Sequence, residues 1–269
     1  MIATIFWELR RRRTAIIWWT IGSILMTVTI LALFPSIQDK AAQMNQVINQ
    51  LPEGIREMKA GGVGSVDVGD PAQFLNSQLF YITLPMIWII LAITRGAAIL
   101  GREEQDGTLE MLLARPISRS RLLLAKLAEL IIEILIVSLA SAALLVTLAP
   151  HFKLSGLSAS YLLLTTVLTA LFSLSFGMIA FVLQAASSLT KRAATAVAVA
   201  IGFGGYILAI LAPMTDWLKL PSKLVPYHYF EPLAILHGHV STGLIIYLLA
   251  VFGLGIVLAL QGFRRRDLS

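Results

Sequence analysis

The residues of this sequence that could support catalysis are two adjacent carboxylates and three histidines. Glu103 and Glu104 follow a long apolar stretch, whereas His228, His237 and His239 lie in a later proline-rich segment. Carboxylates and imidazoles are common zinc ligands, so an intramembrane metalloprotease is one interpretation. The carboxylate pair, however, continues as QDG, without the arginine that follows in that protease pattern. In addition, the predicted topology places the two carboxylates and the histidines on opposite sides of the membrane. The sequence therefore predicts no catalytic residue and no metal site.

Nucleotide hydrolysis needs a glycine-rich loop that ends in lysine and a hydroxyl residue, because backbone amides and the lysine together bind the phosphates. The sequence has no G-x-x-x-x-G-K-[ST], and its glycine-rich GGVGSVDVG lacks the lysine. We expect this chain to bind no cofactor and not to be an enzyme. ATP and magnesium, if used, are expected on a partner chain.

Three ionisable residues fall within apolar stretches. Arg95 precedes the end of one stretch by about six residues, and Glu133 follows the start of the next by a similar interval, so both lie roughly 9 Å deep at the helical rise. Glu129 and Glu133 share a helix face at i, i+4 and give Arg95 two possible partners. Charges at this depth are costly unless paired or hydrated. The alternatives are a salt bridge that locks two helices and a charge that faces substrate or a gate.

Hydroxyl residues also recur on one predicted helix. Thr165, Thr169 and Ser173 fall close to one face. Small polar residues favour close helix packing in lipid, so packing is one interpretation and the lining of a translocation path is the other.

Composition places these residues in a membrane. Of 269 residues, 57% are hydrophobic and 13% are charged, against roughly 25% charged in soluble domains. Stretches near the ~20 residues needed to cross a bilayer predict an all-α protein of six transmembrane helices in one permease domain, residues 1–269. The predicted spans cover residues 15–34, 79–100, 127–149, 161–184, 193–212 and 244–263.

The basic residues predict the orientation. With both termini on one side, 14 of the 21 basic residues fall on that side, so the positive-inside rule places both termini in the cytoplasm. Segments 35–77 and 213–243 are then external, and the four prolines of the second predict two short, partly re-entrant helices. Because the basic residues lie at span ends, they favour membrane orientation over nucleic-acid binding.

The inner segment between the second and third spans reads GREEQDGTLEMLLARPISRSRLLLAKLAE. Thr108 can cap a short helix with an apolar face, and Pro116 ends it. This helix could lie among lipid headgroups, or it could dock into a cytoplasmic partner. The carboxylates of Glu103, Glu104 and Glu110 favour docking, because anionic headgroups repel them.

The run EEQDGTLEMLLARPISRSRLLLAK resembles the segment between spans 2 and 3 of ABC-2 type permeases, the membrane subunits of ATP-binding-cassette exporters. The resemblance extends to the amphipathic N-terminus, the six spans and the basic C-terminal end. It implies that residues 101–116 form a coupling helix on a separate ATPase and that residues 5–13 form a connecting helix along the inner leaflet. The implied docking residues are Glu103, Glu104, Gly107, Thr108, Glu110, Leu113, Arg115 and Pro116.

The resemblance also implies a multi-pass protein of a bacterial-type cell membrane, paired with an ATPase and with a second permease copy or a paralogue. The alternative from another class is an ion-coupled secondary transporter, which needs no ATPase. That class is expected to show inverted repeats with charges near the midplane, and no convincing repeat is visible. Neither the charges nor the polar residues of the spans indicate which substrate is transported.

Overall fold

The computed structural model describes residues 2–52, 55, 67–105, 118–154, 156–187 and 189–265. Within these residues the chain is helical and contains no strand. Six helical stretches of the described chain are long and apolar enough to cross a membrane, which confirms the predicted all-helical, six-span class. Spans 1 to 6 are Arg13–Gln38, Pro71–Gly101, Arg119–Phe152, Ala159–Ala186, Lys191–Met214 and Thr242–Arg265.

Several spans combine different helix types and are accompanied by short helices. The α-helices are Ile2–Arg11, Arg13–Gln38, Ala41–Asn49, Pro71–Leu75, Leu84–Gln105, Arg119–Leu148, Ala159–Ala186, Lys191–Leu211, Asp216–Ser222, Pro232–Leu236 and Thr242–Arg265. A π-helical segment, Asn76–Thr83, joins the two α-helices of span 2. Short 3₁₀ segments are Ala149–Phe152, Ala212–Met214 and Pro226–Tyr229.

Polar caps determine where some of these helices begin. The Ser118 hydroxyl accepts a hydrogen bond from the Arg121 backbone N–H, and Thr190 does the same for Ala193. Each cap satisfies a backbone donor that has no partner within its own helix. Span 3 therefore begins at Arg119 rather than at residue 127, because its helix continues beyond the apolar stretch.

Spans 2 and 4 form the centre of the bundle. Within the 18-residue apolar stretch of each span, 67% of the residues are buried in spans 2 and 4, against 22% in spans 5 and 6. Glycine allows their backbones to touch. A Cβ on Gly177 would lie 2.7 Å from the Ala92 carbonyl oxygen, and a Cβ on Gly96 would overlap the Gly177 carbonyl oxygen. Small residues at a crossing let helices approach closely where no hydrophobic effect drives them together.

Polar contacts show which span ends lie together. Arg264, at the end of span 6, donates to the Ser120 hydroxyl at the start of span 3 at 3.0 Å. At the other end of the bundle, Lys153 pairs with Asp39 at 3.3 Å. We call the end with Arg264 and Ser120 the N-terminal-helix end, because helix Ile2–Arg11 lies there. We call the end with Lys153 and Asp39 the opposite end.

Two short segments cover the opposite end. Asn45 of helix Ala41–Asn49 donates to the Asp67 carboxylate at 2.7 Å, and the Asp67 N–H donates to Gln73 at 2.7 Å. This places the helix beside the start of span 2. The segment after span 5 packs back through Phe230, whose ring stacks on Phe172 of span 4 at 4.3 Å.

Candidate functional site

Arg95 lies between the two glutamates of span 3. Its Nε donates to Glu133 Oε2 at 2.5 Å, and its Nη2 donates to Glu129 Oε1 at 2.7 Å. Relative exposure is 4% for Arg95, 2% for Glu129 and 0% for Glu133. One helical turn separates the glutamates, so one guanidinium contacts both. The contact joins spans 2 and 3 within the bundle.

Two further residues extend this contact to the N-terminal helix. Lys126 lies one turn before Glu129, with 3.8 Å between Nζ and Oε2, and its Nζ donates to Glu8 Oε1 at 3.1 Å. Glu8 is 5% exposed and Lys126 is 4% exposed. We call Glu8, Arg95, Lys126, Glu129 and Glu133 the buried ion-pair cluster. It links helix Ile2–Arg11 to spans 2 and 3.

Sequence reasoning missed Glu8 and Lys126. Lys126 is one of the basic residues at span ends that predict the orientation, although its spacing of three from Glu129 places both on one helix face. Glu8 is separated from Lys126 by 118 positions, and no local pattern indicates such a pair. The one signal was a single carboxylate just before four consecutive arginines, Arg10 to Arg13.

The cluster has three carboxylates and two cations. Arg11, which is half exposed, approaches Glu8 at 3.3 Å and supplies a third positive charge. Burial of ions is expensive and is offset only by close pairing, so removal of one member leaves another buried charge uncompensated. Among the described residues, Glu133 Oε1 has no hydrogen-bond partner. The arrangement suits a rigid connection between three helices.

The residues implied for ATPase docking lie at the edge of the described chain or beyond it. The backbone of Glu103 and Glu104 belongs to the final turns of helix Leu84–Gln105. Outside the described residues lie Gly107, Thr108, Glu110, Leu113, Arg115 and Pro116. The helix before this docking segment carries Arg95, and the helix after it carries Glu129 and Glu133. Each end of the segment is therefore connected by a helix to the buried ion-pair cluster.

The predicted hydroxyl residues of span 4, Thr165, Thr169 and Ser173, are fully buried. Thr165 donates to the Tyr161 carbonyl at 2.7 Å, Thr169 to the Thr165 carbonyl at 2.6 Å and Ser173 to the Thr169 carbonyl at 2.8 Å. Each hydroxyl is satisfied by its own helix, which lets it pack among apolar neighbours. In this conformation the three side chains lie inside the bundle.

A cavity of about 700 Å³ opens at the opposite end of the bundle. Asn76 and Tyr81 of the π-helical segment contribute to its wall, together with Tyr227 and Glu231 from the segment after span 5. Burial raises the pKa of the Tyr227 phenol above its ordinary value, so this group stays protonated and neutral. π-Helical segments often occur at functional sites.

Histidines surround this cavity without forming a metal centre. His228, His237 and His239 contribute to the wall, and His237 Nδ1 lies 2.8 Å from the Leu233 carbonyl. Across the described ranges, no three histidine, cysteine or carboxylate residues are arranged to hold a metal ion. The cavity is therefore a polar and aromatic pocket.

Comparison with known proteins identifies the family. The family model described as "ABC-2 family transporter protein" matches residues 3–268, nearly the whole chain. No curated protein shows significant similarity to this chain. The match confirms the resemblance seen in the segment between spans 2 and 3. Members of this family are membrane subunits rather than ATPases. With six apolar helices and a family match from end to end, the chain belongs to the ABC-2 transporter family as a multi-pass permease subunit.

Proposed function

We propose that this permease forms the export path of an ATP-driven transporter and couples to an ATPase on a separate chain. The observation that carries the proposal is the family match over residues 3–268. The sequence itself has no phosphate-binding loop with lysine, so hydrolysis requires a partner that binds ATP and magnesium. A second permease copy or a paralogue completes the path.

In this proposal, the N-terminal-helix end faces the cytoplasm. Basic residues are concentrated there, with Arg10 to Arg13 around the first helix junction, Lys191 and Arg192 at the start of span 5, and Arg264 near the end of span 6. Retention of lysine and arginine on the cytoplasmic side supports this orientation. The cavity at the opposite end then opens outward in the cell membrane.

Coupling runs through residues 101–116. This segment connects two helices that Arg95 joins through its contacts with Glu129 and Glu133. Because the contact is buried and one guanidinium binds both carboxylates, separating spans 2 and 3 would leave buried charges unpaired, and the two spans are expected to move as a unit. When the ATPases close on ATP, they push the coupling segment. Tilting of the two spans then converts inward access into outward access.

The test is affinity purification of the tagged permease from its native membrane in mild detergent. We expect a soluble ATPase to copurify with the wild-type chain. The double variant Glu110→Ala and Leu113→Ala is expected to lose more than about 90% of it, because the variant removes one charge and one apolar anchor from the docking segment.

A matched control removes one carboxylate and one leucine elsewhere. Asp39 and Leu220 lie at the opposite end of the bundle, and Leu220 is 75% exposed. The variant Asp39→Ala and Leu220→Ala should retain the ATPase at the wild-type level. Recovery of no ATPase in several detergents contradicts the proposal and makes an ion-coupled transporter the leading alternative.

A further inference from the structure

The cavity at the opposite end of the bundle has the size and position of a ligand site. Its volume is about 700 Å³, within the ~300–1,000 Å³ typical of small-molecule pockets. It lies between span 2, the end of span 5 and the chain that follows span 5. Under the proposed orientation it opens to the outside, where an exporter holds its substrate before release.

Aromatic rings form a fixed wall. Tyr81 and Tyr227 both line the cavity and are 8% and 5% exposed. Tyr206 lies between them, with ring centroids 6.4 Å from Tyr81 and 5.6 Å from Tyr227. Phe172 contacts Tyr227 edge-on at 5.0 Å. Such packing holds the phenol rings in place before a ligand arrives.

Apart from its three histidines, the wall carries charge of one sign. Among the described lining residues, Glu231 is the one carboxylate, and there is no lysine or arginine. Glu231 is exposed and makes no ion pair within the described part of the chain. Its carboxylate is therefore available to a positively charged ligand. An anion would find neither lysine nor arginine on the described wall.

We propose that this cavity binds lipophilic organic cations, with the apolar body of the ligand against the tyrosine wall and its charge paired with Glu231. Aromatic faces attract cations through the ring quadrupole, most strongly where water is excluded. A divalent metal ion fits less well, because the described histidines and Glu231 do not form a group of three ligands. The link from binding to transport rests on the proposed function.

Two probes of matched shape and opposite charge test the proposal. Equilibrium dialysis of tetraphenylphosphonium and tetraphenylborate against nanodiscs that hold the full chain measures saturable binding, with empty nanodiscs subtracted. The assay is run at pH 8, above the range in which imidazoles usually titrate. Tetraphenylphosphonium is expected to bind at least about tenfold more tightly than tetraphenylborate.

Variants assign the binding to the cavity. Glu231→Gln should raise the Kd of tetraphenylphosphonium about two- to fivefold, as for an exposed ion pair. Tyr81→Leu should raise it about tenfold, and Tyr81→Phe, which keeps a ring, should raise it less. Asp39→Asn removes a carboxylate outside the cavity at the same end of the bundle, and should leave the Kd unchanged.

The possible results separate this proposal from the transporter proposal. Equal binding of both probes, no saturable binding, or an unchanged Kd in Glu231→Gln overturns the cation site. Because Glu231 is exposed, its variant is expected to fold even if a variant of Tyr81 does not. Selective binding by a chain that never recovers an ATPase keeps the cation site and contradicts ATP-driven export. Recovery of an ATPase by a chain that binds neither probe selectively keeps ATP-driven export and contradicts the cation site.

Discussion

Neutralising Glu133 should destabilise the bundle. Its carboxylate is fully buried and lies 2.5 Å from Arg95 Nε. Breaking a buried ion pair costs about 3–5 kcal/mol, because the remaining charge is uncompensated. Arg95 keeps Glu129 at 2.7 Å, so we expect Glu133→Gln to cost about 3 kcal/mol, the lower end of that range. The apparent Tm should fall by on the order of 5–10 °C.

The measurement is thermal unfolding of the purified permease in one detergent, followed by tryptophan fluorescence. Asp39→Asn is the matched control, since it removes a carboxylate from an exposed pair with Lys153, and such pairs contribute about 0–1 kcal/mol. Its Tm should stay within about 2 °C of wild type.

A double-mutant cycle then isolates the pair. Arg95→Met leaves Glu129 and Glu133 without their shared guanidinium, and Glu133→Met leaves Arg95 with Glu129 alone, whereas the combined variant removes both partners of the Arg95–Glu133 pair. We expect the combined loss of stability to be smaller than the sum of the single losses by about 1–3 kcal/mol. A Tm for Glu133→Gln equal to that of the control, or additive losses in the cycle, would refute the coupling of spans 2 and 3 through this contact.

Two further predictions concern the packing around the cluster. Gly177→Ala should lower the Tm, because its Cβ would lie 2.7 Å from the Ala92 carbonyl oxygen, whereas Gly204→Ala, with open space around it, should leave the Tm unchanged or raise it. An equal Tm effect of the two substitutions contradicts the close crossing. Lys126→Met should speed hydrogen exchange in residues 2–11, because Glu8 loses its buried partner. Arg121→Met, an exposed substitution on the same helix, should not, and unchanged exchange in Lys126→Met contradicts the connection.

The helical fold could be predicted because hydropathy alone indicates spans. Arg95, Glu129 and Glu133 could be grouped from depth and i, i+4 spacing, and the structure brings them within hydrogen-bond distance. The contact of Glu8 with Lys126 could not be predicted, because no local sequence pattern indicates that the N-terminal helix packs against span 3.

The cavity at the opposite end of the bundle also escaped sequence reasoning. Its wall depends on the π-helical segment Asn76–Thr83, and apolar periodicity does not distinguish this segment from an α-helix. Its other wall comes from the proline-rich chain after span 5, where prolines predict breaks but not how the broken pieces pack. No pattern in the sequence therefore singles out Tyr81 and Tyr227, although the fold brings both into one cavity.

The most direct test of the account is a photocrosslink from the coupling segment. The photoreactive residue p-benzoylphenylalanine is placed at Leu113 in one permease and at Leu220, at the opposite end, in another. After irradiation of intact membranes, the account predicts a covalent adduct between the Leu113 probe and an ATP-binding protein, and none from the Leu220 probe. The absence of an adduct at Leu113, or the same adduct from Leu220, would contradict ATP-driven coupling through this segment.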